Sequence, residues 1–310
     1  MTVRVPAKVN LQLAVGSVRD DGYHPLVTVF HAVSLSDEVT VRPAPRMALT
    51  VTGEDADAVP TDRSNLAWRA AIALAKAAGV RGADAAVRIE IRKRIPVAAG
   101  LAGGSGDGAA TLVACNELWQ AGLSQRDLAE VAAALGSDVP FSLMGGTAVG
   151  RGRGEQLTPA LVAGSYHWAL AFGRAGLPTT QVYATFDRLR ATRTAAGATQ
   201  SAEPSLSTEL MTALRSGDPE RVGPLLMNDL QPAALSMEPD LRRTLTAGRE
   251  HGALGAIVSG SGPTCAFLAT DAAHARELAV LLTGAGVCRA AVRASGPVPG
   301  ATVVRDGGRS

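Results

Sequence analysis

Residues 96–110 read PVAAGLAGGSGDGAA, and this glycine-rich stretch decides how the rest of the chain is interpreted. Before it, apolar and charged residues alternate over residues 87–92, which is the pattern of a half-buried strand; after it, residues 109–120 have a helical pattern. Glycines let a backbone approach a ligand closely, and N–H groups beside a helix N-terminus attract anions. The stretch therefore predicts a strand, a phosphate-binding turn and a helix in succession.

Two familiar phosphate-binding patterns do not fit this stretch. No Lys-Ser or Lys-Thr pair follows the glycines, as a Walker A loop requires, and the G-x-G-x-x-G spacing of dinucleotide-binding folds fails as well. A tight turn without a ligand explains the glycines about equally well when they are considered alone.

Two further segments carry polar groups that a ligand could use. Lys8 and Asn10 are two residues apart on a predicted strand, so both side chains face the same side. Residues 259–264 read SGSGPT and form a second loop between two apolar strands. Taken singly, the first segment is more often a solvated strand face and the second more often a hairpin turn.

Charge and cysteine content restrict the classes of partner. The 310 residues include 30 basic and 28 acidic side chains, so the net charge of +2 gives no electrostatic reason to expect a nucleic acid or an anionic membrane. Three cysteines at wide spacing fit neither a disulfide framework nor a zinc knuckle, and no apolar stretch is long enough for a signal peptide or a membrane span. We therefore expect a cytoplasmic protein with no nucleic-acid or membrane partner. Only three residues are lysines, Lys8, Lys76 and Lys93, which marks each of them for attention.

The order of predicted elements is that of an α+β protein. Strands dominate the first ninety residues, and helices alternate with strands from about Trp168 onward. We predict an N-terminal domain over residues 1–158, a C-terminal domain over 159–296 and a flexible tail over 297–310.

Three local predictions accompany this division. A helix begins with Ser64 as its N-cap and ends at Gly79. The glycine-rich residues 145–154 cross between the domains, and residues 191–204, rich in Ala, Thr, Gly and Ser, form a flexible insertion.

Taken in order, the segments at 6–13, 96–110 and 259–264 resemble the three motifs of the GHMP kinases, the superfamily of galactokinase, homoserine kinase and mevalonate kinase. The match extends to RDDGYH at 19–24 and to three more segments. Those three are GSDVPF at 136–141, GGTAVGRGRGE at 145–155 and PTTQVY at 178–183. The N-terminal segments are similar to those of the branch that acts on a cytidine-diphosphate-linked methylerythritol.

The resemblance implies a two-domain GHMP kinase fold. Its N-terminal domain would be ribosomal-protein-S5-like and its C-terminal domain ferredoxin-like, with the site in the cleft between them. It also implies ATP-dependent phosphorylation of the tertiary 2-hydroxyl of the methylerythritol unit, on the non-mevalonate route to isoprenoid precursors. The substrates would be ATP and a cytidine-diphosphate-linked polyol, with Mg²⁺ carried by the ATP phosphates and no protein metal site. The oligomeric state is not indicated.

The resemblance places ATP on the glycine-rich stretch. The residues predicted to bind it are Pro96, Val97, Ala98, Ala99, Gly100, Leu101, Ala102, Gly103, Gly104, Ser105, Gly106 and Asp107. Alanines at 98 and 102 stand where the superfamily motif has glycine, and each adds one methyl group near the phosphates.

Catalytic and substrate-binding roles follow from what phosphoryl transfer requires. Asp138 is predicted to accept or orient the proton of the substrate hydroxyl, and Lys8 to keep Asp138 ionised and stabilise the nucleophilic oxygen. The alternatives are a plain helix N-cap for Asp138 and a surface cation for Lys8.

Four residues are predicted to bind the second substrate. Asn10 would hydrogen-bond its diol, Tyr23 and Tyr183 would enclose the cytosine ring between them, and His24 would offer a ring nitrogen to the base edge. Core packing is the alternative for each aromatic residue.

Two rival functions remain open on the sequence. One is a GHMP kinase acting on a mevalonate-like or sugar alcohol, although Asp-Gly-Tyr-His at 21–24 argues against it because such a substrate has no cytosine. The other is a non-catalytic sensor built on the kinase fold. Retention of both Lys8 and Asp138 favours an enzyme.

Overall fold

The computed structural model describes residues 1–20, 22–195 and 203–305. These residues form two β-sheets with helices packed against them, which confirms the α+β prediction. Among the described helices, none combines the length and the apolar character that crossing a membrane requires.

The larger sheet has the strand order β12-β1-β2-β4-β3, and β5, β6 and β8 attach to it off this path. Its strands are β1 (Thr2–Val15), β2 (Leu26–Pro43), β3 (Ala48–Gly53), β4 (Val87–Lys93), β5 (Thr147–Arg151), β6 (Gln156–Pro159), β8 (Met227–Asn228) and β12 (Thr302–Val303). Strand β1 has neighbouring strands on both sides and packs against elements from both halves of the chain. Nearly all of it is therefore buried. Lys8 and Asn10 are therefore held on a rigid central strand.

The larger sheet and four helices form the first lobe, and the smaller sheet with its helices forms the second. The four helices are α1 (Leu66–Ala78), α2 (Gly103–Leu118), α3 (Gln125–Leu135) and α4 (Val139–Met144). The N-cap of α1 is Asn65, whose side chain accepts from the Ala67 N–H, rather than the predicted Ser64; the predicted end at Gly79 is confirmed by a left-handed φ of 70°. Helix α2 starts at Gly103, inside the glycine-rich stretch, so its N-terminus lies closer to the turn than the sequence predicted.

The smaller sheet has the order β11-β7-β10-β9. Its strands are β7 (Tyr166–Phe172), β9 (Gly255–Val258), β10 (Cys265–Ala269) and β11 (Ala290–Gly296). In chain order this is a fourth-first-third-second antiparallel arrangement, which is the ferredoxin-like topology. The helices of this half are α5 (Thr179–Ala195), α6 (Thr208–Ser216), α7 (Pro219–Val222), α8 (Gln231–Met237), α9 (Asp240–Glu250) and α10 (Ala272–Gly284).

The two lobes pack closely along β1 and β2. Strand β8, from the second half of the chain, pairs in parallel with β1 of the larger sheet. The buried His31 of β2 contacts Tyr166 and Trp168 of β7, with ring centroids 5.9 and 6.0 Å apart. Contacts of this kind fix the cleft between the lobes.

Two local predictions differ from the structure or fall partly outside it. Residues 147–151 do not cross between domains but form β5 in the larger sheet. Residues 191–195 continue α5; of the rest of the predicted insertion, residues 196–202 lie outside the described residues, and residues 203–204 belong to neither a helix nor a strand.

The predicted flexible tail is replaced by ordered chain as far as residue 305. Gly145 forms a bridge with Pro299, and β12 pairs with β1. Backbone hydrogen bonds of this kind leave no local pattern in the sequence, which explains the error; residues 306–310 lie outside the described chain. The domain boundary at 158/159 stays a prediction.

Candidate active site

A cavity of about 920 Å³ lies between the lobes and collects nearly all the predicted site residues. Lys8, Asn10, Asp138, Tyr23, His24 and Tyr183 all line it, as does most of the glycine-rich stretch. Leu101 and Gly106 do not: Leu101 is buried in the core, and Gly106 packs against Val5. The cavity therefore brings together segments that are more than a hundred residues apart in the chain.

Lys8 is a buried cation at the centre of this cavity. Its side chain is not a surface cation, since the residue is only 5% exposed. The ammonium donates to Asn10 Oδ1 at 2.6 Å and to the Gly100 carbonyl at 2.7 Å. Burial lowers the pKa of Lys8, and the nearby Asp138 carboxylate opposes this shift.

Asn10 holds Lys8 in place. Its Oδ1 accepts from the Lys8 ammonium, while its Nδ2 donates to Thr28 Oγ1 at 2.8 Å. The Thr28 hydroxyl in turn donates to the Gln12 carbonyl at 2.8 Å. In this arrangement Asn10 orients the ammonium, and one N–H of its amide is left to reach toward a ligand.

Asp138 stands immediately before α4, yet its side chain does not cap the helix. Its carboxylate instead lines the cavity, where its charge affects the pKa of two other residues. It opposes the lowering of the pKa of Lys8, and it adds to the effect of burial in raising the pKa of Tyr183. Within the described residues no salt bridge of 4.0 Å or less joins Asp138 to Lys8, although both side chains line the same cavity.

The glycine-rich stretch turns sharply around Gly100. The φ of Gly100 is +75°, and a Cβ there would lie 2.2 Å from the Ser259 carbonyl oxygen, so only glycine fits. The Gly100 carbonyl also accepts from the Ser259 hydroxyl at 3.1 Å, and the Thr264 N–H donates to the Ala99 carbonyl at 3.3 Å. The second loop, residues 259–264, therefore supports the first.

Two alanines of the stretch adopt backbone conformations that normally require glycine. Ala98 has φ of +52° and Ala102 has φ of +60°. The left-handed conformation costs an alanine about 1 kcal/mol, so surrounding contacts must hold it in place. The loop has thus kept the shape that glycine allows.

Asp107 lies under the loop in a buried network. Its Oδ2 accepts from the Lys93 ammonium at 2.8 Å, and Lys93 also donates to Asp37. The Asp37 carboxylate accepts from the N–H groups of Arg94 and Ile95 at 2.6 and 2.9 Å. Burial raises the pKa of Asp107 to about 7 against the pull of Lys93; burial also acts to lower the pKa of Lys93, but the charges of the two carboxylates raise it.

The far end of the cavity is aromatic. The His24 and Tyr183 rings lie 5.2 Å apart at an interplanar angle of 32°, and the Arg153 guanidinium lies over the Tyr23 ring at 4.9 Å. His24 Nδ1 lies 2.9 Å from the Gly16 carbonyl oxygen, and Nε2 lies 3.4 Å from Asp187 Oδ2. Tyr23 and Tyr183 therefore share one cavity, and the enclosure of a base between them stays a prediction.

The comparisons with known proteins agree with this geometry. Residues 65–146 match the model of the GHMP kinases N terminal domain, and residues 210–286 match that of the GHMP kinases C terminal domain. The chain belongs to the GHMP kinase family. It is an ATP-dependent kinase with the two-domain fold of that family.

Relatives of this GHMP kinase are similar along nearly the whole chain. A 4-diphosphocytidyl-2-C-methyl-D-erythritol kinase of Mycolicibacterium gilvum is 58% identical over 306 residues, covering 98% of this chain and 92% of the relative. One of Thermobifida fusca is 57% identical over 316 residues and covers 98% of each chain. A crystal structure of 4-(cytidine 5'-diphospho)-2C-methyl-D-erythritol kinase superposes with a TM-score of 0.75 at 34% identity, over 95% of this chain and 98% of the other.

Several residues that line the cavity of this GHMP kinase were not predicted from the sequence. Arg153, Asp187, Asn65 and Lys93 all line it. Arg153 lies inside the family motif at 145–155 and Lys93 is one of only three lysines, so the sequence marks both of them. Asp187 and Asn65 carried none, because their place in the cavity depends on how α5 and α1 pack.

Proposed function

We propose that this GHMP kinase transfers the γ-phosphoryl group of ATP to the 2-hydroxyl of 4-diphosphocytidyl-2-C-methyl-D-erythritol. The observation that carries the proposal is the placement of Lys8 and Asp138 in one cavity with the aromatic group of Tyr23, His24 and Tyr183. Relatives that are 55–58% identical are named 4-diphosphocytidyl-2-C-methyl-D-erythritol kinase, which supports the same substrate. The product would be the 2-phosphate together with ADP.

Asp138 acts on the proton of the reacting hydroxyl, and Lys8 acts on its oxygen. As the hydroxyl oxygen attacks the γ-phosphorus, the bond to the bridging oxygen of ADP breaks and the hydroxyl proton passes to the Asp138 carboxylate. The Lys8 ammonium lies close to the same space and stabilises the negative charge of the oxygen. Lys8 also binds the Gly100 carbonyl, so one side chain ties the nucleophile site to the loop.

ATP would occupy the loop side of the cavity. The turn at 96–104 and the N-terminus of α2 offer backbone N–H groups to the phosphates. From there the cavity extends past Ala58, Val59 and Asn65, which leaves room for the nucleoside.

Mg²⁺ would enter with ATP rather than occupy a site of its own. Within the described chain no group of three or more His, Cys, Asp or Glu side chains is placed to hold a metal ion. Ser105, which lines the cavity, supplies an oxygen donor of the kind that Mg²⁺ prefers. Bound to the phosphates, the ion would offset their negative charge.

His24 would distinguish cytosine from uracil. Its Nδ1 faces a carbonyl and must carry the proton there, so in the neutral ring Nε2 is an acceptor. An acceptor pairs with the exocyclic amino group of cytosine and repels the carbonyl of uracil at the same position. The Asp187 carboxylate, 3.4 Å from Nε2, is an acceptor as well, and the two N–H groups of the cytosine amino group would donate to both of them.

A cytoplasmic location belongs to the same proposal. All three cysteines, Cys115, Cys265 and Cys288, are free thiols and buried. Free thiols are typical of a reducing compartment. Burial also raises the pKa of Cys115 to about 12, which keeps that thiol unreactive.

An ADP-release assay with purified protein, Mg²⁺ and a panel of alcohols tests the proposal. We expect turnover of 4-diphosphocytidyl-2-C-methyl-D-erythritol, much weaker turnover of its uridine analogue, and none of mevalonate or homoserine. Preferential turnover of mevalonate or homoserine would identify another small-molecule kinase. Substrate binding without ADP release would support the sensor.

Replacing Tyr183 should weaken binding of the cytidine substrate and leave ATP binding unchanged. Stacking of a base on an aromatic ring contributes about 1–3 kcal/mol, so Tyr183→Ala should raise KM for the cytidine substrate by about 5- to 140-fold. Tyr183→Phe keeps the ring and serves as the control. An unchanged KM in Tyr183→Ala, or an equal rise in KM for ATP, would contradict the placement of the base.

A further inference from the structure

One wall of the ATP side of the cavity is a short connection after β3. Residues 54–60 run from the end of β3 through a 3-10 turn at Ala56–Ala58, and Ala58, Val59 and Pro60 line the cavity. Asp55 precedes the turn in the left-handed conformation, with φ of +50°. Aspartate tolerates this conformation better than most non-glycine residues.

The Asp55 carboxylate joins the glycine-rich loop to the second lobe. Its Oδ2 accepts from the Val97 N–H at 3.1 Å, the residue directly before Ala98. Its Oδ1 and Oδ2 accept from Arg289 Nη1 and Nη2 at 2.7 and 3.3 Å. The pairing is bidentate, which fixes orientation as well as distance.

Arg289 is anchored in the second lobe. It stands directly before β11, and its N–H donates to the Phe172 carbonyl of β7 at 2.9 Å. Its guanidinium also reaches Glu54 Oε1 at 2.9 Å. A contact between residues 234 positions apart thus spans the two lobes beside the loop.

We propose that Arg289 is a positioning residue that acts through Asp55 to hold the glycine-rich loop in its ATP-binding shape. The inference rests on the proposed function, because it assigns the loop to ATP. We call the Arg289–Asp55 pair together with its hydrogen bond to Val97 the clasp. The clasp holds Val97, while the second loop at 259–264 holds Ala99 and Gly100. The strained Ala98 lies between the two supports.

There is free space beside the loop into which it can move when the clasp is absent. A second cavity of about 470 Å³ is lined by Val97 and Ala98 of the loop and by Phe172, Arg174 and Arg289 of the second lobe. Ala98 can then relax from its left-handed conformation into this space. Only the fraction of molecules with a formed loop binds ATP, so the apparent dissociation constant rises in proportion to the loss of that fraction.

The clasp should affect ATP binding more than stability. Arg289 is about one third exposed, and surface ion pairs contribute little to folding. For Arg289→Met, which keeps the apolar stem, we expect KM for ATP to rise about fivefold. For Asp55→Ala, which also removes the acceptor for Val97, the expected rise is about tenfold. The kcat and the KM for the alcohol substrate should change by less than twofold. The urea unfolding midpoint should remain constant.

The control is Glu54→Gln. Glu54 contacts the same guanidinium, but its carboxylate makes no bond to the loop, so KM for ATP should stay constant. In the Arg289→Met/Asp55→Ala double variant we expect the tenfold rise of Asp55→Ala alone, because Arg289 acts only through Asp55. Direct binding of a non-hydrolysable ATP analogue, measured by calorimetry, should show the same order of affinities.

The outcomes separate this inference from the proposed function. An unchanged analogue affinity in Arg289→Met, an equal loss in Glu54→Gln, or multiplying effects in the double variant would each overturn the clasp. Weaker analogue binding in Arg289→Met supports it, even where the wild-type protein fails to phosphorylate the cytidine substrate. In that case the substrate assignment is wrong and the positioning role stands.

Discussion

Asp138→Asn is expected to lower kcat by about 10²- to 10⁴-fold, the range found when a general base is removed. The amide keeps the shape of the carboxylate but cannot accept the hydroxyl proton. Affinity for ATP should stay within a few fold, since the glycine-rich loop and not Asp138 holds the nucleotide in our proposal. Steady-state ADP release and calorimetric binding of an ATP analogue measure the two quantities.

A change in stability cannot explain this loss. The Asp138 side chain makes no capping bond to α4, so the unfolding midpoint of Asp138→Asn should match that of the wild type. Asp187→Asn is the matched control, because it removes a second carboxylate from the same cavity, 3.4 Å from His24. It should change KM for the cytidine substrate and spare kcat. Retention of more than a tenth of kcat in Asp138→Asn would rule out the proton acceptor.

Parts of the cavity wall could be predicted from local sequence patterns. Strand alternation placed Lys8 and Asn10 on one face, and the glycine-rich stretch predicted a turn between a strand and a helix; both are confirmed by the structure. That Asp138 comes near Lys8 could not follow from periodicity, because 130 residues of intervening fold decide it. Only the order of family motifs carried that information.

Contacts between distant residues account for what was missed. The pairing of β12 with β1 and the Arg289–Asp55 pair depend on the completed fold, and neither leaves a local pattern in the sequence. The early start of α2 has a different cause. Gly103 and Gly104 suggest a turn by composition, but here they take helical dihedral angles beneath the loop.

Lys93→Met should be the most destabilising single substitution among the charged residues discussed. Lys93 is 3% exposed and binds Asp37 and Asp107, which are also buried. Removing the ammonium leaves two carboxylates facing each other without a counter-ion. Loss of one partner from a buried ion network costs about 3–5 kcal/mol, and urea unfolding should show a decrease of that size.

The two carboxylates are unequal, and a second substitution tests why. Asp37 accepts two backbone N–H groups besides Lys93, whereas Asp107 Oδ1 is buried without a hydrogen-bond partner. Asp107→Asn keeps an acceptor for Lys93 and removes the less supported charge, so alone it should cost less than 1 kcal/mol, the net value of one neutral hydrogen bond being about that size. Added to Lys93→Met, it should restore part of the lost stability, because it relieves the repulsion with Asp37. If the double variant is less stable than Lys93→Met alone, the network is held by packing and not by charge, and the loss in Lys93→Met must come from the cavity that its shorter side chain leaves.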